Sequence, residues 1–194
     1  IQPRIRSLAY PLVFGHNRDL SCWPGAGGAV MLSYRAHVVS GFFDQKEEPC
    51  TRDSRLSSAA AAKLRDWWWR EATAGLPRRN RFDILEHFDA APDLFLVEVL
   101  ADGSFRTRIV GERAKTRVEA GRAGSVIGRD SLRKFMQVLW RHYTNVVALQ
   151  APVACTGHVQ YAGRPSCLYE GLDCPLTADG TRITHIVGIL TVPG

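Results

Sequence analysis

The chain has 194 residues, enough for one ordinary domain with an extension, and its 45% hydrophobic and 23% charged residues are normal for a globular protein. No apolar run approaches the roughly 20 residues of a membrane-spanning helix, so a membrane is not expected as a partner. The net charge of +6 is spread, with Lys and Arg interleaved among Asp and Glu, and without a basic block nucleic acid is not expected either.

The first stretch, "IQPRIRSLAYPLVFG", has a basic start and a short apolar patch, but no small-residue cleavage site follows, and no secretion signal is read. Residues 1–55 keep neither a period of 2 nor one of 3.6 and are expected to form a poorly ordered extension, with residues 56–194 as the domain. Within it "GAGGAV" places Gly25 and Gly27 as a dinucleotide loop would, but Val30 stands at the third glycine position and no strand precedes it. Cys22, Cys50, Cys155, Cys167 and Cys174 are odd in number and lack zinc-ribbon spacing, which predicts reduced thiols and a cytoplasmic location.

From Leu56 the signals agree. Ser57 or Ser58 can cap a helix, "AAAAKLRDWWWREATA" is built from good helix formers, and Gly75 with Pro77 ends it. Leu64, Trp67 and Trp68 share one face; Trp69 lies about 100° round the helix. The plain reading packs Trp67 and Trp68 on the domain and leaves Trp69 half-exposed under an arginine. The sharper reading gives the helix a second apolar face for another chain.

"LFLVEVLADGSFRTRIVG" then predicts a β-hairpin about Asp102-Gly103. Short helical turns follow, and "DSLRKFMQVLWRHYTNVVALQ" predicts the main helix, capped by Asp130 or Ser131, with Leu132, Phe135, Leu139, His142 and Val146 along one side. Three β-rich runs close the chain, split at Gly163-Arg164 and at Ala178-Asp179-Gly180. The sum is an α+β domain: a five-stranded antiparallel sheet covered by helices on one face, preceded by the Trp-rich helix.

That order of elements resembles the PAS fold. "LRDWWWREATAGLPRRNRFDIL" is similar to the opening signature of the PAS_5 family, a PAS-like group found mainly in alphaproteobacteria, through Trp68 or Trp69, the turn residues Leu76, Pro77 and Arg79, then Phe82 and Asp83. "FRTRIVG" resembles the family's second strand, and Pro175, Leu176, Asp179, Gly180 and Gly188 its closing strands. The chain departs from the family at Arg81, Ile84 and Glu112. The resemblance spans about residues 56–192 and implies a sensory or protein-interaction module in signal transduction that binds a small ligand rather than an enzyme. No output domain is read in this chain, so the signal is expected to pass through a homodimer formed by the Trp67, Trp68 and Trp69 helix or through a separate signalling protein. The alternative is a ligand-free structural adaptor whose basic extension binds an anionic partner.

The residues offer few chemical devices. The Asn-Cys-Arg element of a flavin photosensor is absent. A haem-binding PAS domain ligates iron through a His on the long helix, and His142 stands on the apolar stripe; the plainer reading is a hydrogen-bonded core histidine. His158, His185, Cys155, Cys167 and Cys174 fall on strands that pair, but no CxxC or HxxxH spacing supports a metal site, and none is expected. No nucleophile elbow, Walker loop or HExxH helix occurs, so no catalytic residue is named. Glu170 and Asp173 are an odd number of residues apart on one strand and point to opposite faces. A ligand pocket would be lined from the sheet by Val97, Val99, Ile109, Leu168, Leu172 and Ile189 and from the helix by Phe135, Leu139 and His142; the same set equally describes a core.

Overall fold

The Ser58 side chain accepts a hydrogen bond from the Ala61 amide and starts helix α1, Ala59–Glu71, and the alanine run behind it costs almost no side-chain entropy in a helix. The computed structural model describes residues 39–117, 122–161 and 165–192. Around α1 the described chain forms strand β1 (Val39–Pro49), the hairpin strands β2 (Leu94–Val99) and β3 (Phe105–Val110), the short helix α2 (Glu112–Arg117), the two-residue strand β4 (Val126–Ile127), the long helix α3 (Lys134–Leu149) and strands β5 (Val153–Tyr161), β6 (Cys167–Thr177) and β7 (Ile183–Thr191). A 3₁₀ segment, Ile84–Asp93, links α1 to the hairpin.

The strands make one antiparallel sheet in the order β1-β5-β6-β7-β2-β3-β4. This corrects the five-stranded expectation. β1 pairs along β5 from Val39–Tyr161 to Pro49–Val153, and β4 adds a short pairing beyond β3. β1 also lies within residues 1–55, so residues 39–49 belong to the sheet rather than to an extension; residues 1–38, with the "GAGGAV" loop, lie outside the described residues. The Gly163-Arg164 turn does so as well.

Helices cover both faces, not one. On one side α1 sets Ala61, Leu64, Trp67 and Trp68 against Leu172, Cys174 and Leu176 of β6 and Val187 of β7. The Trp68 indole donates to the Pro175 carbonyl at 2.8 Å, and Trp67 meets Phe82 and His87 edge-on. On the other side α3 packs Phe135, Tyr143 and Val146 against β5, β7 and the hairpin. Because α3 touches both β1 and β4, at opposite edges, the sheet curls around it. β6 is therefore buried on both faces, from Tyr169 to Thr177.

Two sequence expectations about α3 change. The helix starts at Lys134 with Arg133 in the cap position, so neither Asp130 nor Ser131 is the cap, and the Ser131 hydroxyl accepts from the Gly128 amide in the preceding turn. Leu132 lies before the helix and is fully exposed, so it is not part of the stripe. Cys50, Cys155 and Cys174 are free and buried, but Cys167 is disulfide-bonded. Five reduced thiols therefore no longer argue for a reducing compartment. Among the described residues, no helix is long and apolar enough to cross a membrane.

Candidate functional site

β6 carries two buried carboxylates, and their odd spacing sends them to opposite faces. Glu170 turns toward α1, where its oxygens accept from the Ser57 amide and hydroxyl, both at 2.8 Å, and from the Ser58 amide at 2.9 Å. It holds the start of that helix against the sheet. Asp173 turns toward α3 and meets His142, with Oδ2 2.8 Å from Nε2. The other imidazole nitrogen, Nδ1, lies 3.0 Å from Glu47 Oε1 on β1, an ion-pair contact without the alignment of a good hydrogen bond.

His142 thus sits between two carboxylates in the interior. Burial alone would push its pKa down, but Asp173 and then Glu47 more than reverse this and hold it up at about 10. The Glu47 pKa is lowered in return: burial opposes the shift, and the His142 contact outweighs it. Glu47 is further held by Gln45 at 2.7 Å and Asn145 at 2.9 Å. Burial pushes the Cys155 thiol well up, so it is neutral as it stands, beside this cluster on β5.

The cluster borders a cavity of about 60 Å³ between α3 and the sheet, with Ala114 of α2 also in its lining. Its wall is largely apolar, with Phe42, Phe95, Ile127 and Leu139, and its polar floor is His142, Cys155 and Asp173. Asp173 Oδ1 is buried and has no hydrogen-bond partner among the described residues. An unpaired buried carboxylate oxygen is costly, and a structure that keeps one calls for an explanation.

The expected pocket set divides. Leu139, His142 and Ile189 border the cavity. Val97 and Phe135 are buried in the cores beside it, and Val99 is half-buried there. Leu172 is fully buried but on the α1 face, since Asp173 next to it faces α3. Leu168 and Ile109 are exposed. For Ile109 the cause is a register shift: Leu96 pairs with Ile109 and Val97 with Thr107, so the bulge at Arg108 turns Ile109 away from the cavity that Thr107 and Val110 face. Glu47, Cys155 and Asp173, which sequence reasoning did not place in the pocket, form its polar part. Their one visible signal was a charged residue, Asp173, amid the apolar run of β6.

Trp67 and Trp68 are consumed by the chain's own core, while Trp69 is half-buried, with its indole donating to the Cys50 carbonyl at 3.3 Å and Arg52 over its ring. At the turn, the buried Pro77 accepts from the Thr177 amide at 3.0 Å, Leu76 packs on the α1 core, Arg79 donates to the Phe82 carbonyl, and Asp83 caps the 3₁₀ segment through Leu85. His158 stands near Asp44 and His185 against Thr184, while Cys174 is on the α1 face, so the strand histidines do not gather with the cysteines. A haem does not fit: the cavity is far too small for a porphyrin, and both His142 nitrogens face carboxylates.

No family model matches the chain, so the specific PAS_5 assignment is without support, and no curated protein matches it. Among solved structures the chain is similar to one described as an RNA-binding light-oxygen-voltage receptor, with 13% identity and a TM-score of 0.44. The alignment covers 77% of this chain and 38% of that one.

Proposed function

We propose that the protein is a PAS-like sensory or interaction domain, a binding module rather than an enzyme, in which a small ligand bound between α3 and the sheet is read by a second protein. The reading rests chiefly on the cavity at that interface, with His142 and Asp173 among its lining residues. It is supported by the order of elements from α1 onward, helix, hairpin, short helix, long helix and three-stranded meander, which is the order that the sequence resemblance implied. A ligand at the α3 interface would act on β1 and β4 together, because α3 contacts both edges of the curled sheet. The output surface would include the exposed side of α1, where Trp69 and Arg52 are the groups open to a second copy or a separate partner.

Native mass spectrometry on freshly purified, chelator-treated protein tests this. A small-molecule increment on the folded chain that is lost on denaturation is the expected result. A bare chain that also gains no thermal stability from any member of a library of small organic ligands would overturn it.

A further inference from the structure

His142, Cys155 and Asp173 come from three different elements, α3, β5 and β6, and all three are buried. One nitrogen, one sulfur and one carboxylate oxygen, one from each, lie within 4.8 Å of one another. All three line the cavity, and Asp173 Oδ1 has no hydrogen-bond partner among the described residues. The backbone makes room for them: a Cβ on Gly171 would come within 2.8 Å of the Cys155 sulfur, and one on Gly188 within 2.4 Å of Asp173 Oδ1.

We propose that His142 Nε2, Cys155 Sγ and the Asp173 carboxylate bind a divalent transition-metal ion of the zinc type, with a fourth position open to the cavity. Imidazole, thiolate and carboxylate together suit a borderline-soft ion, and three protein ligands with one solvent position is the pattern of open zinc sites. Glu47 is the positioning residue: its carboxylate, 3.0 Å from Nδ1, favours the proton on that nitrogen and so the tautomer that presents Nε2 to the ion. The cavity of about 60 Å³ has space for the solvent ligand and a few more waters.

The exchange is balanced in charge. The ion displaces one proton from the His142–Asp173 pair and one from the Cys155 thiol, so a dication replaces two protons and the buried cluster keeps its net charge. Two ligands of tetrahedral zinc stand roughly 3.3 Å apart, so His142 and Asp173 must part only slightly from their 2.8 Å contact.

Cobalt(II) titration of the whole chain, followed by visible absorption, is the test. The expected result is one ion per chain, with tetrahedral d–d bands and a thiolate-to-cobalt charge-transfer band, displaced by zinc. Cys155→Ser should abolish the charge-transfer band, Asp173→Asn should weaken binding at least tenfold, and Glu47→Gln should weaken it about 10- to 100-fold while keeping the band. Each variant's fold is checked by its metal-free circular dichroism. Absence of cobalt binding to the wild-type chain overturns the proposal, as does a charge-transfer band that survives in folded Cys155→Ser. The outcome is independent of the sensory reading, since the chelator-treated protein can bind cobalt whether or not it carries an organic ligand.

Discussion

Glu170 on β6 and Ser57 before α1 are joined twice, the Ser57 amide and hydroxyl both donating to one carboxylate oxygen at 2.8 Å. With the Ser58 amide on the other oxygen, a buried anion satisfies donors at the positive end of the helix. Glu170→Ala leaves these donors without their acceptor and should destabilise the protein by about 3 kcal/mol, judging by the cost of losing hydrogen bonds to a charged group. Urea unfolding measures it, and Glu170→Gln, which keeps one oxygen acceptor, should recover part of the loss.

Trp68 makes a different link between the same two elements. Trp68→Phe keeps most of the buried ring but strands the Pro175 carbonyl, at an expected cost of about 1–3 kcal/mol. Trp69→Ala, with its ring half-exposed, should cost clearly less in the same unfolding measurement. Equal losses would mean that the two indoles are buried alike.

His87 supplies a pH dependence. It is buried, stacked on Phe82 and edge-on to Trp67, and neither ring nitrogen has a hydrogen-bond partner among the described residues. Burial first, then Lys63 and Arg70, lowers its pKa, with Glu86 and Asp83 opposing. The unfolded chain, with a histidine value near 6.5, therefore takes up the proton before the folded one. The contribution of His87 to stability is complete above about pH 6.5 and is lost as pH falls from there through the lower folded value. In thermal melts across this range, His87→Gln should lose less stability on acidification than the wild type.

Gly188 on β7 tests the packing around the polar cluster. An added Cβ would lie 2.2 Å from the Phe95 ring and 2.4 Å from Asp173 Oδ1. Gly188→Ala should therefore destabilise the fold by about 1–3 kcal/mol, as overpacking does. An unchanged melting temperature would show that Phe95 can move aside.

What the sequence determined by itself is local. The serine cap and alanine run specify α1, Asp102-Gly103 specifies the hairpin, and Asp179-Gly180 closes the β6–β7 turn, because each depends on backbone conformations set within a few residues. Tertiary structure decided the faces and the pairings. β6 is buried on both faces and carries one carboxylate on each, so alternation could not say whether Leu172 or Asp173 meets α3. The bulge at Arg108 reversed Ile109 through its pairing with β2. β1, whose charged "DQKEE" run has no strand period, becomes a strand because β5 offers it an edge. The His142 and Asp173 contact joins residues 31 apart, with Glu47 and Cys155 from two further strands. Such a cluster is set by which helix crosses which strands, and no periodicity within a single segment encodes that.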